Sequence, residues 1–385
     1  MSQKTIGEAR TMKKTITLIV LLALAAGAVS CGKPEPIRIG FAGNLTGVNS
    51  SVAISGRNGV LLAIEEANRS GGIQGRPVEL VIRDDAESPE KAAQADRELI
   101  DAGVSTIIGH FMSSVADASL EAVAGSDVIL LSPTISNAKL KGLDDEFLRL
   151  IRTNTAQGSV LGAYARESGG GSRSWLVLSE KNRAFSSGVG EGYRRSFEEK
   201  GGQVVGETYL QNQDLEAMGA VIEEAAAAGC DSFLMVLNSG DVAMFAQQVA
   251  QKGTGQTLFS ATWGMTADVI VRGGAAVEGI VFPALFDPNS QTLEYTAFRQ
   301  RFQEVYQEPV DFSAVYSYET AQVLLEGLRK ADEVTGPAVK AAIIAQGTFQ
   351  GLQELLEIDA YGDVKRPYFM TAIRDGVFVT LGKVD

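Results

Sequence analysis

Short apolar runs alternate with amphipathic segments along most of this chain. The run Ile37–Ala42 has the length and the β-branched content of a buried strand. Apolar residues then recur at helical spacing until Gly71-Gly72 ends the helix, at Val60, Leu61, Ile64 and Ala67. Further strands are predicted at Val78–Ile82, Thr106–Gly109 and Val128–Leu131, with a helix at 114–124. Strands separated by helices predict βαβ units and a parallel sheet.

The pattern then starts again. Strands are predicted at Trp175–Leu178, Gln203–Leu210, Phe233–Leu237 and Leu258–Ala261, with helices at 189–200, 217–228 and 242–252. Three more helices are expected at 291–306, 314–331 and 335–346. Asp375-Gly376 between two apolar runs predicts a terminal β-hairpin. The sequence therefore predicts an α/β fold with two doubly wound parallel-sheet lobes.

Residues 1–30 have the pattern of an export signal. Lys13 and Lys14 precede the mostly apolar run Ile16–Ala26, which is too short to span a bilayer as a helix. The residues that follow, Ala28-Val29-Ser30-Cys31, resemble a bacterial lipobox. That resemblance implies cleavage before Cys31, a lipid on its sulfur and attachment to a membrane. The alternative is an ordinary signal peptide with an incidental cysteine, and the true start is either Met1 or Met12.

Charge and rare residues exclude several classes of protein. The net charge of −13 argues against nucleic acid as a partner. The chain has two cysteines, so lipidation of Cys31 leaves Cys230 without a disulfide partner, as a small buried residue. With one free cysteine and one histidine, His110, a transition-metal site is not expected. His110 is interpreted as a packing or hydrogen-bonding residue, and no cofactor is predicted.

Motifs that would indicate an enzyme are also missing. The chain has neither a Gly-x-Ser-x-Gly elbow nor a phosphate-binding Gly-x-x-x-x-Gly-Lys-Ser/Thr loop. The glycines of Gly188-Val189-Gly190-Glu191-Gly192 lack dinucleotide-binding spacing and are interpreted as a loop entering a helix. Asp84-Asp85 could suggest paired carboxylates for metal binding or acid–base chemistry. Adjacent strand residues point to opposite faces, however, so the two side chains would not converge, and the pair is interpreted as a solvated strand end. We therefore expect a binding protein and not an enzyme.

One segment carries a positive signal for ligand binding. Residues 109–114, Gly-His-Phe-Met-Ser-Ser, stand directly between a predicted strand and a helix, and Ser113 or Ser114 is a natural N-cap. The helix start would favour an anion such as a carboxylate. The next predicted strand ends in another polar turn, 132–137. Both turns fall at the carboxyl edge of a parallel sheet, where such folds bind ligands.

The chain resembles the type I periplasmic binding proteins, and among them the branched-chain amino-acid and amide-binding group of ABC importers. The matching stretches are Ile37–Gly47, Ala67–Arg76, Asp84–Pro89, Ile108–Ser114, Leu131–Thr134 and Phe349–Gly351 through Ile373–Gly376. The resemblance covers 36–385 and implies two lobes joined by three hinge crossings, near 152–155, 283–287 and 364–370. The predicted division is a signal at 1–30, a tether at 31–36, one lobe from 37–153 plus 286–366, and another from 154–285 plus 367–385.

The resemblance also implies site residues. In the family, a serine hydroxyl binds the ligand carboxylate, and the resemblance places Ser113 at that position. It places Thr134 and Ser136 in the turn that contributes a carbonyl and a hydroxyl to the ligand site. Phe185 holds the position of an aromatic that covers the ligand, where tyrosine is usual. A second aromatic position falls near Ser239 and is lost.

Trp263 is the departure that matters most for the ligand. The amino-acid binders of the family hold the ligand ammonium with a glutamate at this position, whereas Trp263 supplies an apolar face and one N–H donor. A buried ammonium needs a carboxylate partner. Either Asp241, near the lost aromatic, supplies it, or the ligand is a carboxylate without an amine, such as an aromatic acid stacked on Trp263 and Phe185.

The resemblance implies a protein that works in the periplasm or at the cell surface. It would be a monomeric lipoprotein, held by a lipid on Cys31, that delivers a small carboxylate-bearing ligand to the permease of an ABC importer. The alternative is a sensor with the same lobes that reports occupancy to a signalling partner.

Overall fold

The computed structural model describes residues 34–384. The signal predicted at 1–30, the lipidation site Cys31 and the first part of the tether lie outside the described residues. Within the described part of the chain, no helix combines the length and the apolar character needed to cross a membrane.

The first half of the chain forms a parallel sheet. Its strands are β1 Ile37–Gly43, β2 Val78–Asp84, β3 Thr106–Ile108, β4 Ile129–Ser132 and β5 Phe147–Arg149. The connecting helices are α1 Ser50–Arg69, α2 Pro89–Asp101 and α3 Ala116–Val123. All neighbours are parallel, in the order β2-β1-β3-β4-β5. The order reverses between β1 and β3, which creates a crevice at their carboxyl ends.

The same alternation continues in the second half. Five strands follow, β6 Arg173–Ser179, β7 Gln203–Leu210, β8 Ser232–Val236, β9 Thr257–Ser260 and β10 Val281–Ala284. The helices around them are α4 Asn154–Glu167, α5 Arg183–Glu199, α6 Leu215–Ala227, α7 Ser239–Lys252 and α8 Ala267–Gly273. These strands pair in the order β7-β6-β8-β9-β10, all parallel. The topology of the first sheet is thus repeated in the second.

The last hundred residues add three helices and a small sheet, and they extend the second sheet. They contain helices α9 Leu293–Tyr306, α10 Phe312–Lys330 and α11 Gly336–Gln346, a small antiparallel sheet, and the final hairpin. The small sheet consists of β11 Thr348–Gln350, β12 Leu355–Ile358 and β13 Val364–Lys365, and the hairpin consists of β14 Tyr368–Arg374 and β15 Val377–Val384. β14 pairs antiparallel with β10, which extends the second sheet to seven strands. The predicted hairpin is confirmed.

The core explains why these segments are so apolar. Every residue of β3, β4 and β8 is buried, as expected for parallel strands covered by helices on both faces. α10 packs closely on α1: a Cβ on Gly59 would lie 2.4 Å from the carbonyl oxygen of Ala314. The first sheet lies within 37–153, and the second lies within 154–285 and 367–385. The exact lobe boundaries stay a prediction.

Several elements were not predicted from the sequence. They are α4, α8, β5, β10 and the small sheet β11–β13. The strands among them have two to four residues, which gives only a weak signal; the equally short β3, β4 and β9 were recognised as mostly apolar runs between helical segments. In α4, Gly158 and Gly162 weaken the helical signal, because glycine is a poor helix former.

The glycines at 188, 190 and 192 correct the sequence analysis. They lie inside α5, which begins at Arg183 and not near 189, so the predicted loop is wrong. A Cβ on Gly192 would lie 2.1 Å from the carbonyl oxygen of Thr155, and a Cβ on Gly158 would lie 2.0 Å from that of Val189. Glycines on both helices let α4 and α5 approach each other at backbone distance. Tertiary packing therefore outweighs their low helix propensity.

Candidate ligand-binding site

The loop after β3 carries the first predicted site residue. Ser113 begins a single 3-10 turn, Ser113–Val115, and α3 begins only at Ala116. Neither Ser113 nor Ser114 caps a helix, so the predicted N-cap is wrong. Instead, the Oγ of Ser113 accepts a hydrogen bond from the backbone N–H of Ser136 at 3.3 Å. Among the described hydrogen bonds the Ser113 hydroxyl donates none, so its proton is available to a ligand.

The turn after β4 is tied to the same loop. The hydroxyl of Ser132 donates to the His110 carbonyl at 2.9 Å and accepts from the N–H of Ile135. Thr134 donates its hydroxyl to the Phe111 carbonyl at 3.1 Å. These bonds hold the two strand ends in one register, and they place the side chains of Ser113 and Thr134 on a common wall.

His110 fixes the base of this loop from behind. Its Nδ1 lies 2.6 Å from Asp85 Oδ2, its Nε2 lies 3.0 Å from Asp96 Oδ1, and all three side chains are buried. The Ser119 hydroxyl donates to the other Asp96 oxygen at 2.5 Å. Burial alone lowers the pKa of His110, but the charge of Asp96 and the hydrogen bonds to Asp85 and Asp96 raise it to about 10.

This network settles two sequence interpretations. His110 is confirmed as a hydrogen-bonding residue, away from the cavity wall. The solvated strand end proposed for Asp84-Asp85 is wrong for Asp85, which is fully buried against the imidazole. Asp84 points elsewhere and accepts from the Thr46 hydroxyl at 2.6 Å, so the two carboxylates do not converge.

The second sheet supplies the opposite wall. Phe185, in the first turn of α5, and Trp263, after β9, meet edge to face with ring centroids 6.1 Å apart. Asn182 stands just before α5, with its Nδ2 3.8 Å from the sulfur of Met112. Its Oδ1 is buried and has no partner among the described residues. An amide with only a weak sulfur contact is open to a ligand.

Between these walls lies a narrow cavity, called here the apolar cavity. Its lining consists of Val52, Phe111, Ser113, Thr134, Ile151, Gln157, Asn182, Phe185, Thr262, Trp263 and Phe312. Six of these are hydrophobic and none is charged. An apolar cavity with a few hydroxyl and amide groups, at the carboxyl ends of strands from both sheets, is the form of a small-molecule site.

A second cleft, called here the polar pocket, adjoins the apolar cavity and shares Val52 and Trp263 with it. Its other lining residues are Val48, Asn49, Ser51, Gln213, Asn238, Ser239, Gly240, Asp241, Met244, Asp268 and Arg272. Asp241 is buried and accepts from the Gln213 N–H at 2.9 Å and from Asn238 Nδ2 at 2.6 Å. Burial raises the pKa of Asp241, and these hydrogen bonds offset part of that rise.

Comparison with known proteins decides the family. Residues 36–377 match the family of periplasmic binding proteins. The chain belongs to the periplasmic binding protein family. The resemblance inferred from the sequence is therefore confirmed, and with it the extracytoplasmic, non-enzymatic class of the protein.

Individual relatives of this periplasmic binding protein align with it over nearly its whole length. The leucine-, isoleucine-, valine-, threonine- and alanine-binding protein of Pseudomonas aeruginosa is 25% identical over 353 residues, 90% of this chain and 92% of that protein. A leucine-binding protein from Thermotoga maritima superimposes with a TM-score of 0.83 at 21% identity, covering 91% of this chain and 99% of that one. A solute-binding protein of an ABC transporter from R. palustris, solved with benzoate, gives 0.83 at 20% identity over 91% and 96%. These structures confirm the predicted fold class.

The predicted site residues of this binding protein fall into two groups. Ser113, Thr134, Phe185 and Trp263 meet in the apolar cavity. Ser239 and Asp241 line the polar pocket, where Trp263 also contributes. Ser136 lies in neither wall: it acts on Ser113 through its backbone N–H, and its own hydroxyl is buried without a partner among the described residues.

Several lining residues were missed by sequence reasoning. Phe111 and Asn182 directly follow strands at the carboxyl edge, so their positions could have indicated them. Gln157 lies on α4, which was not predicted, and its Oε1 accepts from the N–H of Thr262 at 3.3 Å. Val52 and Phe312 come from the starts of α1 and α10, and only the tertiary structure brings them together.

The described part of this binding protein has no group of three or more His, Cys, Asp and Glu side chains that could hold a metal ion. Cys230 is buried as expected, and burial raises the pKa of its thiol to about 11, so it is a poor nucleophile near neutral pH.

Proposed function

We propose that this protein captures a small carboxylate-bearing solute in the apolar cavity and delivers it to the permease of an ABC importer. The observation that carries this proposal is the free donor of Ser113 in an uncharged cavity with six hydrophobic lining residues. The amide of Asn182 faces the same space from the other sheet. A ligand that contacts both sheets favours the closed arrangement of the two lobes over the open one.

A carboxylate suits this donor set. The Ser113 hydroxyl can donate to an anionic oxygen, and a charge-assisted hydrogen bond is stronger than a neutral one. Thr134 already donates its proton to a backbone carbonyl, so its oxygen serves better as an acceptor. The hydrophobic lining then packs on the rest of the solute, with Phe185 and Trp263 as an aromatic corner.

The apolar cavity does not suit an α-ammonium group. None of its lining residues carries a negative charge. The family resemblance also places Trp263 where the amino-acid binders carry a glutamate. An uncompensated buried ammonium would be costly. The benzoate bound by the R. palustris protein shows that this fold can hold an acid without an amine. We therefore expect aromatic or aliphatic acids without an α-amine.

Membrane attachment completes the proposal. A lipid on Cys31 and the short stretch before β1 would hold the lobes close to the permease and raise their effective concentration for docking. The protein would act as a monomer, since one chain supplies both walls of the cavity.

Ser113→Ala is expected to weaken binding of benzoate by about 1–3 kcal/mol, roughly 5- to 150-fold, because the ligand carboxylate loses a hydrogen-bond donor. Isothermal titration calorimetry on the protein freed of carried ligand measures this directly. Ser114→Ala is the matched control, because Ser114 is adjacent in sequence but does not line the cavity. An unchanged affinity in Ser113→Ala, or an equal loss in both variants, would refute the proposed clamp.

The choice between acids with and without an α-amine has its own test. Calorimetry with leucine, valine and benzoate should show binding of benzoate only. Tight leucine binding would show that the ammonium finds a partner, and the restriction to acids without an α-amine would then be wrong.

A further inference from the structure

The polar pocket is lined by one buried hydrogen-bond acceptor that lacks a donor, on Asn49, and by one buried carboxylate that lacks a cation, on Asp241. Asn49 is 2% exposed, and its Nδ2 donates to Glu87 Oε2 at 3.1 Å. The same carboxylate accepts from the backbone N–H of Asn49, also at 3.1 Å. The amide is thereby held by its nitrogen side, and its Oδ1 is buried with no partner among the described residues. Because Asn49 lines the pocket, this unpartnered acceptor is available to a ligand group that donates.

Asp241 is the second acceptor. Its side chain is 2% exposed, yet its two oxygens accept only from neutral donors, the Gln213 N–H and the Asn238 amide. The one cation in the lining, Arg272, forms an ion pair with Asp268 at 2.8 Å, so these two charges compensate each other. Asp241 forms no ion pair with any described residue, so its charge is stabilised by these two hydrogen bonds and by the N-terminal end of α7, in whose first turn it lies. A buried carboxylate without a cation favours a positively charged partner.

We propose that the polar pocket binds a protonated amino group of the ligand, at the end of the molecule opposite to its carboxylate. This inference rests on the proposed function, since it takes the carboxylate to lie at Ser113. The ligand class is then a small ω-amino acid: an aromatic or aliphatic body in the apolar cavity, an acid group at one end and an ammonium at the other. The body passes between Val52 and Trp263, which both cavities share.

Charge and geometry favour an ammonium over other groups. An ammonium has three donors and no acceptor, which matches a pocket with the unpartnered Asn49 carbonyl oxygen and with the Asp241 carboxylate, which has no ion-pair partner among the described residues. A hydroxyl could satisfy the Asn49 acceptor but would leave Asp241 without a cation. A second carboxylate would be repelled by Asp241. Ser239 is small and leaves this space open.

The test compares two ligands that differ mainly in the amine. Calorimetry on the full chain uses 4-(aminomethyl)benzoate and 4-methylbenzoate as probes. The wild-type protein should bind the amine at least about tenfold more tightly, and Asp241→Asn should remove that preference while leaving 4-methylbenzoate within about twofold. Equal binding of the two probes by the wild type, or a preference that survives in Asp241→Asn, would overturn the inference.

A second variant covers the case in which Asp241→Asn does not fold. Ser239→Tyr places a bulky side chain in the polar pocket, so it should weaken 4-(aminomethyl)benzoate at least about tenfold and leave benzoate within about twofold. Equal effects on both acids would count against the pocket. If 4-(hydroxymethyl)benzoate binds the wild type as well as the amine does, the role of charge is refuted. If no probe binds, the proposed function and this inference both fail; if only the amine preference is missing, the proposed function stands.

Discussion

Replacing His110 by alanine is expected to lower the free energy of unfolding by about 3–5 kcal/mol, because it leaves two buried carboxylates without their cation. The imidazole lies between Asp85 and Asp96 at 2.6 and 3.0 Å, and all three side chains are inaccessible to solvent. Chemical denaturation at pH 7 measures the difference.

Ser119→Ala is the matched control for this prediction. It removes a neutral donor from Asp96 and leaves both ion pairs of His110 intact. We expect a smaller loss, of about 1.5 kcal/mol. Equal losses in the two variants would show that the charge of His110 contributes nothing beyond a hydrogen bond.

The same group makes stability depend on pH. The pKa of His110 is raised to about 10 in the folded protein, against about 6.5 in an unfolded chain. The folded state therefore holds this proton more tightly. The contribution of His110 is complete below pH 6.5 and is lost as the pH rises toward 10. The stability difference between the wild type and His110→Ala should shrink over that range, and a constant difference would contradict the assigned charge.

The second large effect is expected at Arg366, just before β14. Its guanidinium lies 2.8 Å from Glu319 on α10 and donates to the carbonyl of Leu285 after β10, and both charged side chains are almost fully buried. Arg366→Met should lower the free energy of unfolding by about 3–5 kcal/mol, because Glu319 stays buried without a cation. Thermal and chemical denaturation report this loss.

The double variant makes this test specific. In the wild type, the Leu352 N–H donates to Glu319 at 2.9 Å. Glu319→Gln removes the charge and keeps an acceptor for this N–H. Combined with Arg366→Met it removes both charges, and replacing a whole buried pair costs far less than removing one partner. The double variant should thus be more stable than Arg366→Met alone. If the two losses simply add, the pair is not coupled.

Arg366 lies where three segments of the chain meet. It joins the end of β10, helix α10 and the entry to β14, and two of the three predicted hinge crossings, near 283–287 and 364–370, fall at these segments. A buried ion pair there would keep the crossings in register while the lobes move.

Much of the architecture could be predicted from the sequence because most strands are short, apolar and followed by an amphipathic helix. This alternation predicted β1–β4 and β6–β9, and Asp375-Gly376 predicted the hairpin. Ser113 and Thr134 were predicted to lie at one edge of the sheet, since polar residues that directly follow neighbouring buried strands meet there, and the structure places both in the apolar cavity.

The errors have a common cause in packing. The glycines of α4 and α5 look like loop residues in isolation, and only the close approach of the two helices makes them favourable. Asp85 looks solvated until His110 is brought to it from 25 residues away.

By itself, the sequence determined the fold class, because the hydrophobic period encodes strands and helices directly, and the family, through the resemblance of its motifs to the periplasmic binding proteins. It also predicted a ligand site at the strand ends. Only the tertiary structure decided which residues share a cavity. Val52 and Phe312 are 260 positions apart and yet line the same wall, and Asp241 stands in a different compartment from Ser113. Local patterns do not record contacts between distant segments, so the division into an apolar cavity and a polar pocket had to be seen in three dimensions.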